Sequence, residues 1–187
     1  MKIVGILLCA GSGSRFGGGK LLHRLRDGTA IGVASLRNLR AAVPDVEAVV
    51  RSGDDELAAL LEAEGIVVHA CSDAHLGMAR SLICAIDARR DADGWVVALG
   101  DMPFVRPDTI MAIAGRVAHS GRIAVPAYMG ERGHPVAFGR RYLDELLQLQ
   151  GDQGARSVIA NHRDDLETIE SDDPGILRDI DTRADLN

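Results

Sequence analysis

Leu8-Cys9-Ala10-Gly11-Ser12-Gly13-Ser14-Arg15-Phe16-Gly17-Gly18-Gly19-Lys20 follows an apolar run, Ile3 to Leu8, near the start of a 187-residue chain. The apolar run reads as a buried β-strand. The glycines behind it let the backbone turn tightly and present N–H groups to an anion. Arg15 and Lys20 add fixed positive charge to the same stretch. A strand running into a glycine-rich basic loop is a way to hold the phosphates of a nucleotide. Two common phosphate signatures are excluded. A Walker A loop needs glycine where Ser14 stands, and a Ser or Thr where Leu21 follows Lys20, so no hydroxyl is supplied for Mg2+. The dinucleotide fingerprint needs a third glycine where Phe16 stands, and an acidic residue at the end of a second strand that instead runs out as Val49-Val50-Arg51. A ligand-free glycine-rich loop is the plainer reading; strand, glycines, Arg15 and Lys20 falling in order argue against it.

Outward from this loop, apolar runs alternate with helical patterns. Strands are expected at Ile3–Leu8, Val46–Val50, Ile66–His69, Trp95–Leu99 and Arg122–Pro126, with helices near 30–42, 54–64, 78–90 and 107–119. Asp54-Asp55 and Pro107-Asp108 suit helix starts. The order predicts an α/β fold, a Rossmann-like three-layer arrangement with a mostly parallel twisted sheet and helices on both faces. From Tyr128 to Phe138 the text is irregular; a helix near 140–149, a loop at 151–154 and a further helix to about His162 follow. The length predicts a single domain over 1–187.

Three cysteines, Cys9, Cys71 and Cys84, lack C-x-x-C spacing and predict free thiols in a reducing cytoplasm. No signal peptide and no apolar run of about 18 residues is present, so no membrane partner is expected. A net charge of −6 argues against nucleic acid as a partner. An anionic substrate would have to be drawn in locally, by Arg15 and Lys20.

Gly100-Asp101-Met102-Pro103 ends the strongest apolar run. Asp101, fixed at a strand end, is a turn-forming residue or a Mg2+ ligand; Mg2+ binds through one or two carboxylates and completes its shell with phosphate and water. Asp179-Ile180-Asp181 near the chain end reads as a short strand with both carboxylates on one face, or as a solvated acidic terminus. Either carboxylate could close a metal site opposite Asp101. In Arg132-Gly133-His134-Pro135-Val136, His134 could donate to an acceptor substrate or simply pack. In Leu149 to Arg156, Gly151 and Gly154 free the backbone around Asp152 at a helix start, and Arg156 could grip a phosphate. Ser81 could touch ribose or base, or cap a helix. Cys9 reads as a small buried residue, since no base is placed beside it.

In that order these segments resemble sugar-nucleotide-type nucleotidyltransferases, and most closely their branch of molybdenum cofactor cytidylyltransferases. The matches are Leu8-x-Ala10-Gly11-x-x-x-Arg15-x-Gly17-x-x-Lys20, G-D-M-P at Gly100, R-G-H-P-V at Arg132, L-x-G-D-x-G-A-R at Leu149 and the tail from Asp179 to Leu186. Three positions depart from the pattern: Arg183 stands for proline, Arg80 for serine and His23-Arg24 for Leu-Pro. The resemblance implies Mg2+-dependent nucleotidyl transfer. Arg15, Lys20 and Asp101 would be catalytic, and Leu8, Cys9, Ala10, Gly11, Gly13, Arg15, Lys20, Ser81 and Asp101 would bind nucleotide. His134, Asp152 and Arg156 would bind the acceptor, with Asp101 and Asp181 on the metal. Ala10 occupies the position that separates CTP users from GTP users, which implies CTP and molybdopterin as substrates and a molybdoenzyme as recipient. Three other readings stay open: a related transferase with another acceptor, a non-catalytic cofactor carrier, and an NAD(P)H-dependent oxidoreductase.

Overall fold

The computed structural model describes residues 1–11, 13–151 and 154–186. Its strands are β1 (Ile3–Leu8), β2 (Val46–Arg51), β3 (Val67–Cys71), β4 (Gly94–Leu99), β5 (Ile123–Tyr128), β6 (Glu131–Arg132), β7 (Val136–Gly139) and β8 (Leu166–Glu170). Its α-helices are α1 (Ile31–Ala42), α2 (Asp55–Glu62), α3 (Met78–Ala88), α4 (Pro107–Ser120), α5 (Leu143–Leu147) and α6 (Arg156–Asn161). Successive parallel pairing β3-β2-β1-β4 follows from the β-α-β repeats at the start of the chain. One face of the sheet packs Leu7, Val96 and Ala48 against α1 and α4, through Leu36, Leu39, Ile110 and Ile113. The other packs Ile6, Val97 and Phe138 against α3 and the segment of α5 and α6, through Leu82, Ile86, Leu146 and Val158. Both faces are covered, so β1, β2 and β4 are buried almost throughout, as their continuous apolar runs require.

Beyond β4 the sheet departs from the simple repeat. The strand after α4, β5, does not pair with β4; β7 lies between them, antiparallel to both. It reaches that slot because the irregular segment is a tight hairpin. Tyr128 pairs with Glu131, and Met129 and Gly130 carry φ of 51° and 81°. Positive φ at both turn positions matches the twist of the flanking strands. β8 then adds parallel to β5.

Later in the chain the expectations are met only in part. The helix expected near 140–149 is a 3-10 turn at Arg140–Tyr142 followed by the short α5, and the helix expected to about His162 is α6, Arg156–Asn161. β8 arises from Leu166-Glu-Thr-Ile-Glu170, whose pattern is too polar to stand out. Asp179-Ile180-Asp181 is not a strand. It lies in irregular backbone between 3-10 turns at Pro174–Leu177 and Arg183–Leu186, with Ile180 fully buried. Asp185 dominates the local geometry there: its Oδ2 accepts from the N–H groups of Asp181 and Thr182 and from the Thr182 hydroxyl. Reaching back from the first turn to the residues before it, Asp185 caps the start of the 3-10 turn and bends the chain where a strand would be straight.

Candidate active site

The glycine-rich loop leaves the C-terminal end of β1, where open α/β sheets bind ligands. Gly17, Gly18 and Gly19 all have φ between 61° and 93°, a run that side chains with Cβ would resist, and it turns the chain back to Lys20. Phe16 anchors the loop. It is buried, meets His23 edge-on at 5.3 Å, and lies 5.7 Å beneath the guanidinium of Arg183. The Gly13 carbonyl accepts from the N–H groups of Phe16 and Gly18.

Gly100 follows β4, one strand over. A Cβ there would lie 2.7 Å from Cys9 Sγ, so the close approach of the two strand ends depends on glycine. The Ser35 hydroxyl of α1 donates to the Gly100 carbonyl at 2.8 Å and pins this exit. Asp101 is presented next, and the tail meets it: the Ile180 N–H donates to the Asp101 carbonyl at 2.9 Å. Asp181 is therefore carried to the same place. Lys20 Nζ lies 2.7 Å from Asp101 Oδ2 and 3.3 Å from Asp181 Oδ1, and Arg15 Nη1 lies 2.8 Å from Asp181 Oδ2. Burial alone would lower the Lys20 pKa, but its contacts with Asp101 and then Asp181 outweigh that and hold it above the ordinary lysine value.

The tail is held in register by close packing. A Cβ on Gly175 would sit 2.1 Å from the Phe104 carbonyl oxygen. Asp173, 1% exposed, accepts from the N–H groups of Arg106 and Gly175 and from the Thr109 hydroxyl. That carboxylate ties the tail to the start of α4.

A cleft of about 850 Å3 opens from this cluster across the ends of β1, β2 and β3. Leu8, Cys9, Ala10, Gly11, Gly13, Arg15, Lys20, Ser81 and Asp101 all line it. Its volume suits a drug-sized or nucleotide-sized ligand. Cys9 is 1% exposed, and burial, aided by the charge of Asp101, pushes its thiol far above the ordinary range, in keeping with a small buried residue. All three cysteines are free.

Arg51 is a cleft residue that the sequence reading used only to exclude a ribose carboxylate. Its Nη2 lies 3.4 Å from the Ala10 carbonyl oxygen, and its Nε is buried without a hydrogen-bond partner. The available signal was its position at a strand end facing the site.

His134 and Arg156 are not among the residues that line the cleft. The His134 N–H donates to the Ile176 carbonyl, its Nδ1 is buried without a partner, and its ring lines a small cavity with Ser35, Asn38 and Met102. Burial holds the imidazole pKa below its ordinary value; Asp101 and Asp179 oppose this, while Arg156 adds to it. Asp101, Asp179 and Arg156 thus all lie within electrostatic reach of the His134 ring. Asp152 lies outside the described residues.

The two carboxylates that meet at Lys20 suit a hard divalent cation whose remaining ligands come from water and phosphate. Among the described residues there is no cluster of three or more His, Cys, Asp or Glu that would form an all-protein cage. No helix among them is long and apolar enough to cross a membrane.

The model of the MobA-like NTP transferase domain matches residues 5–166. The chain is 29% identical to the purine catabolism protein PucB of Bacillus subtilis (strain 168), over 96% of this chain and 92% of that one. It is 27% identical to the nicotine blue oxidoreductase of Paenarthrobacter nicotinovorans, over 96% and 92%. The crystal structure of Rv0371c from Mycobacterium tuberculosis H37Rv superposes with a TM-score of 0.86 at 30% identity, covering 99% of this chain and 95% of that one. Rv0371c has also been crystallised in complex with manganese, with a TM-score of 0.79 to this chain at 28% identity, over 99% and 96%.

Proposed function

The chain belongs to the MobA-like NTP transferase family, and on that premise we propose that it transfers the cytidylyl group of CTP to the terminal phosphate of molybdopterin, releasing pyrophosphate. The observation that carries the reading is the meeting of Lys20, Asp101 and Asp181 at the mouth of the cleft formed by the glycine-rich loop.

In this reading an acceptor phosphate oxygen attacks the α-phosphorus, and the bond to the β-phosphate oxygen breaks. Loop N–H groups, Arg15 and Lys20 hold the triphosphate, so catalysis is mainly positioning and charge neutralisation. Asp101 and Asp181 are the residues that would hold Mg2+, which supplies neutralisation of phosphate charge when bound. Ala10 and Ser81 bound the base and ribose end, with the Ala10 methyl favouring a pyrimidine. His134, Asp152 and Arg156 serve the acceptor. A phosphate monoester is largely ionised at neutral pH, with a second pKa of about 6, and needs little help from a general base. The test is pyrophosphate release with CTP against GTP, each with and without molybdopterin. Release that requires CTP and molybdopterin together is expected; none with either nucleotide overturns the reading.

Similarity to the nicotine blue oxidoreductase favours one alternative, an NAD(P)H-dependent reduction. Phe16 and Arg51 deny the chain the usual dinucleotide fingerprint and ribose carboxylate. Loss of NAD(P)H absorbance with purified protein and a dye acceptor would establish the alternative.

A further inference from the structure

Lys20 stands between the two carboxylates assigned to a divalent cation. Its side chain is about 10% exposed, and its ammonium contacts both Asp101 and Asp181. Arg15 holds the second oxygen of Asp181 from a side chain that is 78% exposed. The Ile180–Asp101 hydrogen bond brings the two carboxylates together, and two like charges at close range need a counter-charge. Lys20, in contact with both, supplies that counter-charge, and Arg15 adds to it on Asp181.

We propose that Lys20 is a resident counter-ion that competes with free divalent metal for the Asp101–Asp181 pair. The pair then takes up metal strongly only when a triphosphate draws Lys20 and Arg15 to itself. This consequence rests on the transfer reading above. Both cations line the cleft, so an incoming triphosphate reaches them directly. The Arg15 pair is exposed and readily exchanged. Lys20 presents three N–H donors on a flexible stem, so it can change partners while remaining charged. Metal and triphosphate thus enter together, and the two carboxylates are held side by side in the meantime.

The inference reverses the sign expected of a lysine that merely builds the site. If Lys20 were only structural, its removal would weaken the binding of metal and of triphosphate alike. If it is the resident counter-ion, its removal strengthens metal binding and weakens triphosphate binding. The experiment titrates Mn2+ alone, followed by electron paramagnetic resonance, into the wild type, Lys20→Met, Lys20→Gln, and Lys20→Met combined with Asp101→Asn. Thermal melts accompany each variant, and Lys20→Gln keeps a hydrogen-bonding group if the methionine variant fails to fold. Removing one unit charge beside the pair should tighten Mn2+ binding about tenfold, and the double variant should lose that gain. Equal or weaker Mn2+ binding in the folded neutral variants overturns the inference. CTP and inorganic tripolyphosphate binding are measured on the same samples. If the wild type binds them and the variants gain no metal affinity, the counter-ion inference fails and the transfer reading stands. If the gain appears while the wild type binds neither, Lys20 is the counter-ion of the pair but its release by a triphosphate is overturned, and the transfer reading fails with it.

Discussion

The backbone N–H of Ile180 donates to the backbone carbonyl of Asp101 at 2.9 Å, and Ile180 is fully buried. One main-chain bond therefore joins a strand exit in mid-chain to the tail, and sets the Asp181 carboxylate beside Lys20 with Asp101 opposite.

Asp101→Asn keeps the shape of the side chain and removes its charge. Pyrophosphate release should fall at least about 100-fold, the scale of losing one preorganised electrostatic contact. A thermal melt should show the fold intact. Wild-type turnover would remove Asp101 from the site.

Arg51→Met removes the buried, unpartnered Nε beside Ala10. A hydrogen bond from a charged donor contributes about 1.5–3 kcal/mol, so CTP affinity should drop about tenfold or more. Inorganic tripolyphosphate, which lacks base and sugar, should bind as before. An equal loss for both ligands in calorimetry would assign Arg51 to the phosphates.

Ala10→Gly removes the methyl facing the cleft. A single methylene in a pocket discriminates by about 1–3 kcal/mol, so the CTP-to-GTP ratio should move towards GTP by no more than that. A competition assay with both nucleotides measures it; an unchanged ratio would place base reading elsewhere, Arg51 being the next candidate.

His134 has a folded pKa held below its ordinary value of 6.5 by burial. At a pH below 6.5 the unfolded chain takes up a proton at this position that the folded chain resists. The neutral buried ring therefore costs stability as pH falls from about 6.5 towards the folded pKa. The melting temperature of His134→Gln should decline less than that of the wild type between pH 7 and pH 5. Parallel curves would mean that His134 titrates normally.

Asp173→Ala leaves the donors of Arg106, Thr109 and Gly175 facing a buried gap. Each unsatisfied buried group costs about 1–3 kcal/mol, and partial relaxation should leave a net loss of roughly 3 kcal/mol in chemical denaturation. Turnover should fall as well, because the tail carries Asp181. A stable variant with full turnover would show that the tail is held elsewhere.

Much of this protein is legible from neighbouring residues alone. The apolar runs that become β1, β2 and β4 are buried on both faces, so composition marks them without knowledge of their partners. Pro107 and Asp54 announce the starts of α4 and α2 because helix ends are local events. The glycine-rich loop with Arg15 and Lys20 is contiguous, and so is Gly100-Asp101; both could be found as text.

What text could not supply depends on contacts between distant segments. The slot that β7 fills between β4 and β5 follows from how α4 carries the chain across the sheet, and β8 is stabilised by pairing with β5 more than by its own polar pattern. That Asp181 is the carboxylate set beside Lys20 follows from the Asp185 cap and the Ile180–Asp101 bond, which override the alternating pattern. Arg51 acquires its place in the cleft only when β2 lies beside β1. A charge is meaningful in a sequence by its type, but its work is set by what the fold leaves within a few ångströms of it, and for Lys20 that is two carboxylates, one from mid-chain and one from the tail.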